Sequence, residues 1–162
     1  MDGSAAVIGE MMLPILEPVD LETATPHARD LGDAFQLTNF LRDIDEDLDR
    51  NRQYVPQEDL RRFGVDLTER RCTPEFVELM RFEIDRCRTL YASADLGIGM
   101  LPERSARCIV AARTLYSRIL DQIEAQGYDV FSSRAGISTA RKAVMVATLV
   151  LPAGRPRSVR AP

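Results

Sequence analysis

Residues 36–54 read QLTNFLRDIDEDLDRNRQY, and the apolar residues of this stretch recur at helical spacing, which indicates a helical fold. At about 100° per helical residue they share one stripe of the helix surface. The stripe consists of Leu37, Phe40, Leu41, Ile44 and Leu48. We therefore predict a helix that buries this stripe, with Thr25 as its N-cap, Pro26 at its first position and its end near Arg50.

A row of polar side chains borders the stripe. Gln36, Asn39, Asp43 and Asp47 fall within an arc of about 80° on the same helix. Helical bundles place metal and cofactor sites at such positions beside the core. The acidic residues between positions 43 and 49 would also crowd the C-terminal turns of the predicted helix, where the helix dipole disfavours negative charge. A bound cation would offset that cost.

The chemistry of the acids indicates which cation fits. A site of carboxylate oxygens, without histidine or thiolate, suits Mg²⁺, with Mn²⁺ as an alternative, better than zinc or copper. Mg²⁺ usually takes one or two protein carboxylates and completes its shell with water and substrate phosphates, so Asp43 and Asp47 would suffice. A solvated helix face, neutralised by Arg42, Arg50 and Arg52, explains the same acids without a metal, and the pattern leaves both interpretations open.

Helical signals continue along the rest of the chain, and no run of period-two alternation bounded by turns interrupts them. The sequence therefore predicts an all-α fold in one domain. The further predicted helices are Ala5 to near Pro14, Pro56 to Gly64, Pro74 (capped by Thr73) to Gly97 or Gly99, Pro102 to Gly127, and Ser138 (as N-cap) to Leu151. Residues 152–162 are rich in arginine and proline, and we expect a disordered tail there.

Composition narrows the class of partner. The chain has 162 residues, a net charge of −4 and 45% hydrophobic residues, which indicates a folded domain without general affinity for nucleic acid. Its longest apolar run, residues 143–151, is much shorter than the roughly 20 residues of a membrane-spanning helix. Three widely spaced cysteines and one histidine do not form a zinc pattern, so we expect reduced thiols and a cytoplasmic protein, with peripheral membrane contact left open.

The stretch from Leu31 to Leu60, LGDAFQLTNFLRDIDEDLDRNRQYVPQEDL, resembles the second aspartate-rich motif of the squalene and phytoene synthase family. The R-x-Y-x-P pattern ending at Pro56 and GYDVF at Gly127 to Phe131 also resemble that family. The resemblance is closest to bacterial phytoene synthases and covers residues 1–151. It implies the isoprenoid synthase helical bundle and the head-to-head condensation of two geranylgeranyl diphosphates to phytoene, or of two farnesyl diphosphates to squalene.

The resemblance also implies roles for individual residues. Asp43 and Asp47 would be the catalytic acids that bind Mg²⁺ and, through it, a substrate diphosphate. The implied substrate-binding residues are Gln36, Asn39, Arg42, Tyr54 and Tyr128. Arg42 matches a family position that contacts diphosphate, although the helical wheel places it off the polar arc. Phe35, Phe40, Tyr91 and Tyr116 are candidates for the pocket wall or for plain core.

One part of the family pattern is missing from this sequence. The family carries a first D-x-x-x-D helix upstream of the second, and no such motif precedes Gln36 here. We therefore expect an N-terminally incomplete bundle with little turnover by itself, which would associate with a separate N-terminal half or with itself. Three hypotheses stay open: an enzyme completed by another piece, a non-catalytic remnant, and a helical interaction protein.

Overall fold

The computed structural model describes residues 2–136, and helices make up most of them. A π-helical turn at Asp2–Ala6 and a 3₁₀ turn at Leu67–Glu69 accompany six α-helices, and this part of the chain contains no strand. The helices are α1 (Val7–Leu16), α2 (Leu21–Arg42), α3 (Ile44–Asp49), α4 (Gln57–Phe63), α5 (Pro74–Ile98) and α6 (Glu103–Ala125). The predicted all-α class is confirmed, whereas the helix predicted from Ser138 and the tail at 152–162 lie outside the described residues.

The first two helices differ from their predicted bounds. Helix α1 continues through Pro14 to Leu16 and ends at Glu17, whose backbone adopts the left-handed conformation (φ 54°) and donates to Leu13 O at 3.0 Å. The prediction of Thr25 as an N-cap is wrong. Asp20 caps α2 instead, because its carboxylate accepts from the Glu22 amide at 3.1 Å. The helix therefore begins at Leu21, five residues before the predicted first position, Pro26.

The later helices begin and end where the sequence signals predict. The Thr73 hydroxyl accepts from the Phe76 amide at 3.3 Å, which caps α5 directly before Pro74. Helix α4 follows Pro56 and ends at Gly64, which has a φ of 68°. Only glycine adopts that conformation without a steric cost, so Gly64 stops the helix as predicted.

The core forms where α2 and α5 pack along each other, with α1, α4 and α6 around them. Helix α2 packs closely on α1 and on the π-helical turn before it: a Cβ on Gly9 of α1 would lie 2.0 Å from Ala28 O, and one on Gly32 of α2 would lie 2.1 Å from Ala5 O of the turn. Any larger residue at either glycine would push these segments apart. The largest side chains of the main core that are fully buried are Leu41, Leu67, Phe76, Leu79, Met80, Ile84, Tyr91, Leu120 and Ile123.

Two further predictions concern membrane-spanning helices and the state of the cysteines. Between residues 2 and 136, no helix is both long enough and apolar enough to cross a bilayer. Cys72, Cys87 and Cys108 are all free thiols, as predicted, and only Cys87 is buried. Burial raises the pKa of the Cys87 thiol to about 11, so it stays protonated at neutral pH and packs as an apolar group between α2 and α5.

Candidate active site

The polar arc predicted from the sequence spans a break in the helix. Helix α2 ends at Arg42 and α3 begins at Ile44, with Asp43 between them at φ −102° and ψ 16°. The prediction of one helix to about Arg50 is therefore wrong. Backbone bonds from Asp43 N to Asn39 O (2.9 Å) and from Asp47 N to Asp43 O (2.8 Å) continue the helical pattern on both sides. Asp43 and Asp47 consequently remain one turn apart.

The break changes the electrostatics of the acids. Asp45, Glu46 and Asp47 occupy the first turn of α3, at the positive end of its dipole. A continuous helix would have placed the same residues at the negative end, so the predicted dipole cost is not present. A break at Asp43 converts that unfavourable interaction into a favourable one, which gives a physical reason for two helices in place of one.

The acids on the outer side of α3 are paired on the surface. Arg70 donates to the carboxylates of Asp45 at 2.8 Å and Asp49 at 2.5 Å. Arg70, Asp45 and Asp49 are 38%, 32% and 65% exposed, so solvent screens the pairs and they contribute little to stability. The solvated-face interpretation is thus appropriate for Asp45 and Asp49. It leaves Asp43 and Asp47, whose side chains are only 17% and 15% exposed.

Asp43 lies between two arginines. Arg42 donates to both of its carboxylate oxygens, from Nε at 2.7 Å and from Nη2 at 2.5 Å. Arg134 Nε donates to Asp43 Oδ1 at 2.8 Å and lies 3.2 Å from Glu46. Burial raises the pKa of Asp43, but the hydrogen bonds and charges of the two arginines outweigh burial and hold this pKa below its usual value. Asp43 is therefore an anion at neutral pH.

Arg42 reaches the site even though the helical wheel placed it off the polar arc. Its guanidinium folds over the neighbouring Asp43, because a long side chain can span the angular distance that the wheel assigns to its Cα. Asp47 has a looser environment, with Arg50 at 3.9 Å from its carboxylate. Its backbone carbonyl accepts from the amides of Arg50 (3.0 Å) and Arg52 (2.8 Å), which closes the end of α3.

Sequence reasoning missed Arg134, which is 91 residues away from Asp43 along the chain. The turn after α6 brings it back: Gly127 and Tyr128 have φ values of 69° and 66°, and Gln126 Nε2 donates to Ser133 O at 3.0 Å. This turn contains the GYDVF motif. The motif signalled a family feature, but only the fold shows that it returns an arginine to the acidic residues.

A groove of about 470 Å³ opens beside the two arginines. Its wall is mainly apolar and comes from α6 and the segment after it. The lining residues are Arg42, Ala112, Leu115, Tyr116, Ile119, Arg134, Ala135 and Gly136. The Phe35 ring packs on the Tyr116 ring at 4.4 Å between centroids, which supports the groove from α2. The groove thus has a cationic end and an aliphatic and aromatic side.

The other predicted site residues lie in three different places around Asp43 and the groove. Gln36 and Asn39 are half-buried on the last turns of α2. Tyr54 stacks on Phe40 with ring centroids 4.0 Å apart, and both rings line a small crevice together with Asp47. Tyr128 contacts Arg81 of α5, which donates to its hydroxyl at 3.4 Å. Tyr128 therefore belongs to a separate contact, whereas Tyr54 borders the acids.

The acids of this part of the protein offer only a few donor atoms to a metal ion. Residues 2–136 hold no group of three or more histidine, cysteine or acidic side chains placed to bind one ion. Asp43 and Asp47 present two carboxylates one turn apart, which matches the small protein share of a Mg²⁺ shell. Their all-oxygen chemistry and limited exposure fit the ion, provided that water and phosphate supply the remaining ligands.

The described architecture is that of the all-α isoprenoid synthases. It superposes on a solved dehydrosqualene synthase, crystallised with a ligand, with a TM-score of 0.80 and 29% identity, over 90% of this chain and 52% of that one. A second solved structure, the squalene synthase HpnC from Alicyclobacillus acidocaldarius, gives a TM-score of 0.72 and 32% identity, over 78% and 49% of the two chains.

Sequence comparison agrees with the structural one. The family model for squalene/phytoene synthase matches residues 1–141, so this chain belongs to that family. It is 44% identical over 69% of its length to the 15-cis-phytoene synthase of Synechocystis sp., and 37% identical over 85% of its length to the phytoene synthase of Arthrospira platensis. The chain spans 34% and 50% of those two relatives, respectively.

Proposed function

We propose that this chain forms the part of a phytoene synthase-type prenyl transferase that binds metal and diphosphate. The reaction would join two geranylgeranyl diphosphates head to head to give phytoene. The observation that carries the proposal is the pairing of Asp43 with Arg42 and Arg134 at the end of an apolar groove. A prenyl diphosphate is complementary to this arrangement, because it has a dense anionic head for the cationic end and a long apolar chain for the apolar side.

The cationic end of the groove suits the diphosphate. Arg42 and Arg134 each present a planar guanidinium, which can donate two parallel hydrogen bonds to phosphate oxygens. Mg²⁺ held by Asp43 and Asp47 would neutralise the diphosphate as it leaves. Arg42 and Arg134 would orient the head group. Among the described residues, the cationic group paired with the Asp47 carboxylate is Arg50, at 3.9 Å, so Asp47 would stay open to further ligands.

The apolar side of the groove suits the prenyl chain. Loss of diphosphate leaves an allylic cation, which water would quench unless the walls exclude it. Leu115, Ile119 and Tyr116 offer such a wall, and the Tyr116 ring, which Phe35 supports from behind, would stabilise positive charge nearby. The described part of the groove is thus equipped to hold the chain and shield the cation.

Calorimetry with geranylgeranyl diphosphate tests this proposal. Titration in Mg²⁺ should give heat that disappears with EDTA and in the double variant Asp43→Asn/Asp47→Asn. The matched control is Asp45→Asn/Asp49→Asn, which removes the same charge from the same helix but alters only acids that face Arg70. Equal loss of binding in both double variants, or in neither, would contradict the proposed site.

A squalene-type reaction on farnesyl diphosphate is the second candidate, because the solved structures reported above are squalene-type synthases. Comparing binding of the two diphosphates distinguishes the candidates: the phytoene-type proposal requires tighter binding of the geranylgeranyl compound. Product analysis after incubation with either one should show little or no hydrocarbon from this chain alone, since residues 2–136 contain one acidic motif where the condensation uses two.

We infer that a second polypeptide segment, carrying the other acidic motif, packs on α1. The outward face of α1 is apolar and uncovered in the described structure: Ile8, Met11 and Ile15 are 61%, 66% and 70% exposed. They recur at i, i+3 and i+7, the spacing of a helix that packs against another helix. The relatives are two to three times as long as the matched region, which leaves room for such a segment.

Sedimentation tests this inference. The chain alone should associate in a concentration-dependent manner, and Met11→Glu/Ile15→Glu should reduce that association without loss of helix content. Ile8→Glu on the same face should act in the same direction, whereas the exposed Leu96→Glu on α5 serves as the control. A monomeric wild-type chain at high concentration would contradict the inference.

We further place the protein in the cytoplasm, where its prenyl substrates would bring it into peripheral contact with membranes.

A further inference from the structure

A second acidic cluster lies away from the groove, between α4 and α5. Asp59 and Glu83 are buried, with side chains 6% and 1% exposed. One nitrogen of Arg86, Nη1, lies 3.1 Å from Asp59 Oδ2 and 3.2 Å and 3.3 Å from the two oxygens of Glu83. Two buried carboxylates thus share a single guanidinium nitrogen.

The charges of this cluster do not balance if both acids are ionised. Two carboxylates and one guanidinium leave one negative charge buried, and an uncompensated charge in the interior costs several kcal/mol. Asp59 from α4 and Arg86 from α5 are the charged groups that act on Glu83, and Glu83 in turn raises the pKa of the nearby Cys87 thiol. One proton held between the carboxylates restores neutrality, so geometry and charge count both call for a protonated acid.

The cluster is linked to the predicted active site through the connector, which is the segment of residues 50–56. The Pro56 carbonyl accepts from the amides of Asp59 and Leu60, both at 3.1 Å, and thereby joins the connector to α4. At its other end, the Arg52 amide donates to Asp47 O at 2.8 Å. Tyr54 stacks on Phe40 between these two points. Any shift of α4 would therefore displace Tyr54 and the backbone at Asp47.

We propose that Asp59, Glu83 and Arg86 form a clamp that holds α4 against α5 through one shared proton, and that the clamp fixes the connector beside Asp47. The three residues act as positioning residues, because none of them contacts the groove. When the proton leaves for solvent, the two carboxylates repel each other, α4 loosens, and the connector loses its fixed end. The proposal does not depend on which substrate the groove binds.

The sign of the pH effect follows from Glu83. Burial raises its pKa, the Asp59 charge raises it further, and Arg86 opposes both, with the pKa at about 7 against an ordinary value of 4.5. Between those two values the folded chain holds a proton that the unfolded chain has released, so a rise in pH favours unfolding. From pH 5 to pH 8 this linkage raises the unfolding equilibrium constant roughly 70-fold.

Urea unfolding at pH 5 and pH 8 tests the clamp. Glu83→Gln keeps the shape and neutral state of the protonated acid, so it should remove most of the wild-type rise in the unfolding constant. The exposed neighbour Glu58→Gln is the matched control and should keep the wild-type pH dependence. Asp59→Asn provides an independent variant, because Glu83 can then ionise beside Arg86 alone, and its pH dependence should also fall. A wild-type slope in both clamp variants would overturn the proposal.

Hydrogen exchange separates positioning from stability alone. After correction for the intrinsic pH dependence of exchange, the Arg52 amide of the wild-type chain should exchange faster at pH 8 than at pH 6. The same amide in Glu83→Gln should show no such increase, and the Ala106 amide at the start of α6 should show none beyond global unfolding in either protein. If Arg52 and Ala106 respond alike in the wild-type chain, the clamp does not position the connector.

Discussion

The site at Asp43 and the clamp both consist of carboxylates and guanidinium groups, but the two sites have opposite charge balance. At Asp43, two arginines converge on one half-buried carboxylate. In the clamp, two buried carboxylates converge on one arginine nitrogen. The pKa of Asp43 is accordingly held below its usual value, whereas the pKa of Glu83 is raised to about 7.

The difference shows that the number of acids in a segment does not predict their ionisation. The ratio of carboxylates to guanidinium groups, together with burial, decides it. Where cations are in excess, the acid stays ionised. Where acids are in excess and water is excluded, a proton takes the place of a missing cation. Changing that ratio in one region at a time should therefore change stability and its pH dependence in that region alone.

Removal of the clamp arginine should have the largest effect on stability. Arg86→Met leaves two buried carboxylates without a cation and should lower the free energy of unfolding by about 3 kcal/mol at pH 7. Arg107→Met, which breaks an exposed pair with Glu103, is the control and should cost less than about 1 kcal/mol. Urea unfolding measures both. Similar small losses would show that the clamp is not an electrostatic unit.

Loss of the carboxylate at Asp43 should have an intermediate effect with the opposite pH dependence. Asp43→Asn should cost about 1 kcal/mol at pH 7, because charged hydrogen bonds to two partly exposed arginines are lost. Since the folded pKa of Asp43 is depressed, this stabilisation exists above its ordinary value of 3.8 and is lost as pH falls through the folded value. Unfolding curves for wild type and variant should therefore converge once the pH falls below the depressed pKa of Asp43.

Removal of one arginine of the pair should have a smaller effect. Arg134→Met leaves Arg42 on Asp43, so the cost should be about 0.5 kcal/mol. The more sensitive measurement is the pKa of Asp43, followed by carbon NMR of its carboxyl group, which should rise towards the ordinary value. Arg134→Lys should restore part of the shift, because it returns the charge without the planar guanidinium. An unchanged pKa in Arg134→Met would show that Arg42 alone sets it.

The outer acids of α3 should be the least sensitive. Arg70→Gln breaks the pairs with Asp45 and Asp49 and should leave the free energy of unfolding nearly unchanged, because solvent screens these surface pairs. Salt should cancel even that difference, since screening acts on exposed pairs more than on buried ones. At about 0.5 M salt the Debye length is only a few ångströms. A large loss of stability in Arg70→Gln that persists at this salt concentration would contradict the division of α3 into outer and inner acids.

Local signals in the sequence predicted much of the fold. Thr73 followed by Pro74 marked the start of α5, and Gly64 marked the end of α4, because caps and left-handed turns depend on residues close in the chain. The break at Asp43 was missed, because the alternative of one continuous helix satisfies the same apolar spacing. Thr25 and Pro26 gave a strong start signal, but Asp20 lies earlier and caps the helix first.

Helical periodicity is a local property of the chain, so the sequence was enough to predict the all-helical class and the acids and amides on one side of the acidic segment. The motifs at residues 31–60 and 127–131 indicated the family. Only the tertiary structure brought Arg134 to Asp43 across 91 residues and set Glu83 against Asp59 with one arginine between them. Charge balance at both places depends on which distant side chains meet and how much water they exclude. That information arises when the helices pack, and no spacing along the chain contains it.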